Sequence, residues 1–178
     1  MRKITHLFFA VAFMFTCSSV FAQTYVVMKA MNGTTKLNGG STVAGHVGEI
    51  DIYSYSQGEN LCVGCGRATF SDLNVLMSLN AAVTTFKKLL VNGTKLTSVD
   101  ITYVKAGTTP VEYYKMHLEN VSVETLQESG SNEIPTISIS FSPEKIAWQN
   151  TVIKSDGTAG AKSSYGWDIL NNVEWLYY

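Results

Sequence analysis

The spacing of hydrophobic residues changes twice between residues 71 and 105, and this constrains the fold more than any other feature. Apolar residues from Leu73 to Leu79 recur at every second position, which is the period of a strand with one buried face. They then recur at spacings of three and four, the pattern of an amphipathic helix: Ala82, Val83, Phe86, Leu89 and Leu90. Alternation returns at Val99. The sequence therefore predicts one helix between two strands.

Residues on both sides of this helix mark where it begins and ends. Asn80 precedes the apolar pattern, and its side chain can accept a hydrogen bond from an otherwise unpaired backbone N–H. Gly93 follows the pattern and suits the left-handed conformation in which many helices end. The predicted helix spans about residues 81–92. A helix of this length is not stable alone, so we expect its apolar face to pack on a sheet.

Most of the remaining sequence has the pattern of strands and turns. Alternating segments occur at residues 25–31, 98–103 and 136–141, and two further segments flank a bend predicted at Asn120. No rhythm of alternating strands and helices is present. The predicted fold class is therefore mainly β, an antiparallel β-barrel or two-sheet sandwich with one short α-helix.

The N-terminus has the composition of a secretory signal peptide. Arg2 and Lys3 are followed by an apolar segment at residues 7–15, and small residues at Val20 and Ala22 have the spacing of a cleavage site. No later segment is long and apolar enough to anchor the mature chain in a membrane. We therefore expect export to the periplasm or the medium, without a membrane anchor after cleavage.

Three regions are expected along the chain. They are a signal peptide at residues 1–22, a barrel domain at residues 23–153, and a flexible segment at residues 154–178 that is rich in Gly and Ser and ends in aromatic residues. The chain has a formal net charge of -1, so the sequence predicts no basic surface for nucleic acid.

No catalytic or metal site is predicted, and no cofactor. His46 and His117 could act as bases, but no nucleophile motif accompanies them, and their spacing does not suit zinc. Glu112, Glu119 and Glu124 could form the carboxylate pair that glycosidases use. The simpler interpretation is that these charged residues lie on solvated strand faces.

Two cysteines remain after signal cleavage, Cys62 and Cys65, within a Gly-containing loop. An oxidising compartment favours a disulfide between them. Three interpretations stay open: a local disulfide within the loop, a bridge between subunits, and free or redox-active thiols. A thioredoxin-like site would need this motif at the start of a helix, whereas Gly64 and Gly66 indicate a turn.

Several stretches resemble the haemolysin-coregulated protein family, the tube subunits of type VI secretion. The main one comprises SLNAAV at residues 78–83, the predicted helix, and NGTKL at residues 92–96. Residues 112–121 (EYYKMHLENV) are similar to the hairpin that follows the helix in that family. Residues 137–148, which end in KIAW, and residues 166–168 (GWD) resemble its late strand and its C-terminal end.

This resemblance implies a small barrel of two sheets with the helix on its side. It also implies subunits that form hexameric rings, which stack into a hollow tube without catalytic residues and with room for small cargo. Residues 46–56 correspond to the family's protruding loop that contacts the next ring. The candidate interface residues between subunits are His46, Glu49, Asp51, Tyr53, Tyr55, Trp148 and Trp167. The two tyrosines on this loop are equally well explained as ordinary strand aromatics.

The expected signal peptide departs from this family, because tube subunits are assembled in the cytosol. The chain is then either a diverged member that works outside the cytosol or a reuse of the fold for another role. A tube built from exported subunits could be an extracellular or periplasmic filament. The alternative function is an exported β-sandwich that binds a carbohydrate or another surface ligand. In that case the binding residues would be exposed aromatics such as Tyr113, Tyr114 and the C-terminal cluster.

Overall fold

The computed structural model describes residues 23–107 and 109–178, so the expected signal peptide lies outside the described residues. Twelve strands and one helix follow one another along the described chain. They are β1 Thr24–Asn32, β2 Thr35–Lys36, β3 Ile50–Ser56, β4 Glu59–Cys62, β5 Arg67–Phe70, β6 Leu73–Ser78, α1 Ala82–Asn92, β7 Leu96–Lys105, β8 Val111–Ser129, β9 Thr136–Ser142, β10 Lys145–Ile153, β11 Ala159–Asp168 and β12 Val173–Glu174.

Six of these strands close a barrel in the order β8-β7-β1-β3-β6-β9, and the β8–β9 pairing completes the circle. Every pairing is antiparallel. This confirms the predicted fold class, a mainly β barrel with one helix. Strands β10, β11 and β12 extend the sheet beyond the barrel, and β4 and β5 form a separate two-stranded sheet.

Strand β8 closes the barrel because it is long enough to pair with different partners in its two halves. Its first half pairs with β7 on one side and β10 on the other, and its second half pairs with β9. The strand turns at Asn120, which has a φ of 51°. The sequence predicted a bend at this residue. Asparagine tolerates the left-handed conformation better than most residues.

Helix α1 begins and ends where the sequence predicted, within one residue. The Asn80 side chain accepts a hydrogen bond from the Ala82 N–H over 3.0 Å. Gly93 has a φ of 62°, and the Thr94 N–H donates to the Leu89 carbonyl over 3.0 Å. The buried side of the helix packs on the core, where Phe86 meets Phe141 edge to face with centroids 5.6 Å apart.

The core lies inside the barrel and under the helix. Its largest fully buried side chains come from six strands and the helix: Met28, Ile50, Leu73, Met77, Phe86, Leu96, Ile101, Met116, Leu118, Ile137, Ile139 and Phe141. Alternate residues of each strand supply them, as a sheet with one buried face requires. No helix among the described residues has the length and apolarity needed to cross a membrane.

The C-terminal region differs from the expectation of a flexible segment after residue 153. Residues Ala159–Asp168 form β11, which pairs with β10 from Asp168 to Ala159. A tight turn joins the two strands, with Gly157 at a φ of 84° and the Thr158 N–H donating to Asp156 over 2.9 Å. An Asp-Gly pair between strands is a hairpin signal, and the Gly- and Ser-rich composition concealed it. The expected domain boundary at residue 153 therefore lies within the β10–β11 hairpin.

Candidate assembly surfaces

The predicted protruding loop is partly folded into the barrel. Residues 50–56 form β3 in the barrel wall, whereas residues 46–49 form a turn that is bonded within the chain. His46 and Glu49 are buried, and His46 Nδ1 lies 2.9 Å from Glu49 Oε2. His46 Nε2 lies 3.2 Å from Glu112 Oε1 on β8. The two residues therefore attach this turn to the barrel and do not project from it.

The three remaining candidates in this segment lie on β3 and differ in exposure. Asp51 is exposed opposite Val27 of β1. Tyr53 is 62% exposed, and its hydroxyl bonds to Ser78. An irregularity in the pairing between Ile52 and Ser54 shifts Tyr55 to the core side, where it is half-buried. Asp51 and Tyr53 are therefore accessible to another subunit, whereas Tyr55 packs within its own chain.

Tyr55 belongs to a group of tyrosines at one end of the barrel. Its ring meets Tyr103 edge to face, and Tyr103 also contacts Tyr113 and Tyr114. Burial raises the pKa of the phenols of Tyr55, Tyr103 and Tyr114 above their usual value. These hydroxyls therefore stay neutral at physiological pH.

A charged face lies on the outside of the barrel beneath the C-terminal residues. His117 Nδ1 bonds to Asp100 Oδ1 over 2.5 Å. The Tyr177 ring stacks on the His117 ring, with centroids 3.7 Å apart and planes 4° apart. Trp175 lies beside both rings, and Lys145 Nζ lies 5.1 Å from its centroid. The C-terminal residues are therefore attached to the sheet by aromatic contacts over charged groups.

The glutamates considered as a glycosidase pair lie in or near this charged face. Glu112 pairs with Lys115 as well as His46, and Glu119 lies 3.7 Å from Lys145 Nζ. Glu124 is exposed on β8. Two of the three carboxylates are thus occupied by basic side chains, which matches the simpler interpretation of charged strand faces.

A row of aromatic rings follows β10 and β11 outside the barrel. Trp148 and Tyr165 face each other across the two strands, with centroids 6.3 Å apart and planes 5° apart. Trp167 lies two residues further along β11, so its side chain points to the same side, 6.4 Å from Tyr165. Phe70 of β5 stacks against Trp148 at 6.3 Å. Trp148 and Trp167, both predicted interface residues, are therefore half-buried neighbours in one aromatic row.

The β4–β5 hairpin contacts the barrel through this row and through a narrow connection at its base. There the Gly58 N–H donates to Ser71 Oγ, and the Ser71 N–H donates to the Gly58 carbonyl, both over 2.8 Å. At its tip the structure joins Cys62 and Cys65 by a disulfide, with Cα atoms 5.4 Å apart. Leu61 and Val63 at this tip are 70% and 90% exposed. The hairpin therefore carries an apolar end away from the core.

Strand β11 leaves an open edge on the sheet. Its residues pair with β10 on one side, and only Trp167 and Asp168 pair with β12 on the other. The Trp175 N–H also donates to the Gly166 carbonyl over 2.9 Å. Residues 159–165 thus have one strand edge without a backbone partner in the described chain, and most of them are exposed. Such an edge can pair with a strand of another chain.

The sequence profile described as "Type VI secretion system effector, Hcp" matches residues 27–150. A solved structure described as a type six secretion system protein shares 19% identity, covers 86% of this chain and 100% of its own, and superposes with a TM-score of 0.75. Hcp1 from Salmonella typhimurium shares 20% identity, with 85% and 99% coverage and a TM-score of 0.71. A type VI secretion system effector from Yersinia pestis shares 20%, with 83% and 100% coverage and a TM-score of 0.63. Comparison with curated protein sequences finds no match.

The barrel, its packed helix and the strands outside it define a tube-like β-barrel protein of type VI secretion. The profile match covers most of the chain, and the chain belongs to the Hcp family. This confirms the family indicated by residues 78–83 and 92–96. The family is one of structural tube proteins.

Three features of these surfaces were not predicted from the sequence. They are the open edge of β11, the contact between Phe70 and Trp148, and the division of the C-terminal aromatics into two groups. Tyr165 and Trp167 join the aromatic row, whereas Trp175 and Tyr177 cover His117. The two-residue spacing of Tyr165 and Trp167 was a strand signal that could have indicated the first group.

Proposed function

We propose that this chain is a structural subunit whose copies assemble side to side into a hexameric ring, and that the rings stack into a hollow tube or filament. The observation that carries this proposal is the open edge of β11. A barrel with every strand paired would offer no backbone groups to a neighbour, whereas residues 159–165 offer a full row. Membership of a family of tube proteins supports the same conclusion.

A ring needs two different surfaces on each subunit, because its contacts run head to tail. The hairpin tip supplies a second surface, since Leu61 and Val63 are exposed apolar residues. Asp51 and Tyr53 on β3 are also accessible and remain candidate contacts between subunits. In the proposed assembly His46 and Glu49 act indirectly, by holding the turn before β3 in place.

The proposed role requires no catalysis. Subunit contacts use backbone edges, apolar tips and aromatic surfaces, and none of these supplies a nucleophile or a proton-transfer group. The proposed assembly therefore treats the described histidines and glutamates as structural residues, which agrees with the ion pairs they make.

Light scattering after gel filtration and negative-stain microscopy of residues 23–178 test this assembly. Rings of uniform diameter, or stacks of them, are expected for the unmodified chain. Ser164→Lys places a charge on the open edge and is expected to shift the chain to monomers, because a charged edge resists strand pairing. Ser131→Lys in the exposed loop before β9 is the matched control and should leave rings intact. A monomer at high concentration for the unmodified chain would reject the proposal.

Export through the N-terminal signal peptide remains part of the proposal. The expected mature protein begins at Gln23 and is found in the periplasm or the medium. Cell fractionation with N-terminal sequencing checks this. A protein that stays in the cytosol and retains Met1 would reject export while leaving the ring assembly open.

A further inference from the structure

A cleft of about 530 Å³ separates the β4–β5 hairpin from the aromatic row of β10 and β11. Glu59 and Phe70 line it from the hairpin, and Trp148, Tyr165 and Trp167 line it from the sheet. Its size is within the range of small-molecule sites, which are mostly apolar with a few polar groups. The cleft lies outside the barrel, so the core does not need it for stability.

The rings in this cleft leave much of their faces uncovered by one another. Trp148 and Tyr165 have planes only 5° apart, yet their centroids are 6.3 Å apart. The centroids of Tyr165 and Trp167 are 6.4 Å apart, and their ring planes are inclined by 27°. At such centroid separations the rings are not in close face-to-face contact, and Tyr165 is 48% exposed. Because the face of an aromatic ring carries negative potential, the row presents several such faces to a ligand.

Glu59 gives the cleft a negative charge. It is the only charged residue among those that line the cleft, the remainder being aromatic residues, Ala68 and Asn150. Within the described chain no Lys, Arg or His nitrogen lies within 4.0 Å of its carboxylate. Burial, and then a smaller contribution from the charge of Glu59, raise the pKa of the Tyr114 phenol. The Tyr114 hydroxyl thus stays neutral and adds no second negative charge.

We propose that this cleft binds a small organic cation that carries an alkylated ammonium group. Such a group spreads its charge over methyl groups and loses little hydration, so aromatic faces can replace water around it. A carboxylate at the rim balances the charge and favours the cation over a neutral ligand of the same shape. This site lies beyond the proposed ring assembly and does not depend on it.

Titration of residues 23–178 with choline tests the proposal by tryptophan fluorescence. Two of the chain's three tryptophans line the cleft, so a saturable change is expected. The neutral isostere of choline, in which a tert-butyl group replaces trimethylammonium, should bind at least about fivefold more weakly because it makes no cation–π contact. Maltose, a neutral saccharide, should produce no saturable change. Equal binding of choline and its isostere, or binding of maltose alone, would overturn the proposal.

Two variants locate the site. Glu59→Gln keeps the shape of the rim and should weaken choline binding at least about fivefold, whereas the charge-matched control Glu133→Gln in the exposed loop before β9 should leave it unchanged. Tyr165→Leu keeps apolar area but removes one ring face, and should also weaken binding. Circular dichroism confirms that each variant is folded. Wild-type affinity in both Glu59→Gln and Tyr165→Leu would place the ligand elsewhere and reject this site.

Discussion

The closed barrel and the segments outside it differ in how fully their backbone groups are hydrogen-bonded and their apolar side chains are buried. In the barrel each strand has two neighbours, and side chains such as Phe86 and Phe141 are fully buried. Outside it, β11 has an open edge and the β4–β5 hairpin pairs only with itself. Val63 at the hairpin tip is 90% exposed. The barrel is complete as a single chain, whereas the outer segments have surfaces that another molecule could cover.

Because of this difference, we expect the barrel to determine the stability of the molecule and the outer segments to provide its interaction surfaces. Substitutions in the barrel should change the free energy of unfolding, because they remove buried contacts. Substitutions of exposed residues in the outer segments should change assembly or ligand binding and leave unfolding nearly unchanged, whereas a buried position there, such as Gly166, should still affect stability. The following predictions test this division, in order of decreasing effect on stability.

Phe86→Ala is expected to cost about 3–5 kcal/mol of unfolding free energy, because it leaves a cavity between α1 and β9. Chemical denaturation of the monomeric Ser164→Lys background measures this loss without contributions from assembly. Val91→Ala on the same helix is the control, since Val91 is 83% exposed, and its cost should stay within about 0.5 kcal/mol. Similar losses for the two variants would mean that the helix does not complete the core.

Gly166→Ala is expected to cost about 1–3 kcal/mol or to release the C-terminal residues from the sheet. A Cβ at this position would lie 2.3 Å from the Trp175 carbonyl oxygen and 3.0 Å from Ala147 Cβ. Denaturation and carboxypeptidase digestion distinguish the two results. Gly64→Ala in the hairpin turn is the control, because nothing lies within 4 Å of its added Cβ. Undiminished stability together with unchanged digestion would contradict the close approach of the Trp175 backbone to Gly166.

Reduction of the Cys62–Cys65 disulfide should cost at most about 1–2 kcal/mol, because the loop that it closes is very short and lies outside the barrel. The expected change is local: proteolysis within residues 57–70 accelerates, while the denaturation midpoint moves little. Cys62→Ser with Cys65→Ser is the control that reductant should not affect further. Mass spectrometry without reductant should give a chain two hydrogens lighter, and a covalent dimer would instead indicate a bridge between subunits.

Glu144→Gln should have the smallest effect, below about 1 kcal/mol near neutral pH, because its ion pair is largely solvated. The hydrogen bond from Lys95 Nζ, and then that from Asn120, lower the pKa of the Glu144 carboxyl. A lowered folded-state pKa contributes stability above the ordinary glutamate range, and that stability is lost as pH falls through the lowered value. The difference between wild type and variant should therefore vanish in acid. A difference that persists there would show that it does not come from the charge.

The sequence predicted the barrel better than the surfaces outside it. Helix α1 was found because its pattern, Asn80 and Gly93 all lie within fourteen consecutive positions, 80–93. The buried state of His46 was not predictable in the same way, because its partner Glu112 is on β8, far along the chain. The same is true of the Phe70–Trp148 contact. The Asp156-Gly157 turn was a local hairpin signal, but the Gly- and Ser-rich composition around it led to the prediction of a flexible segment.

The sequence by itself determined the alternating period of strands such as β1, β6, β7 and β9, the single helix and the family. These depend on residues near one another in the chain, where sterics and alternating burial act directly. Only the tertiary structure decided that β11 pairs with β10, that its other edge stays open, and that five aromatic residues and Glu59 enclose one cleft. The physical reason is strand register, because the pairing of strands that are distant in sequence decides which side chains meet. A shift of one residue in that pairing would turn every side chain of a strand to the opposite face of the sheet.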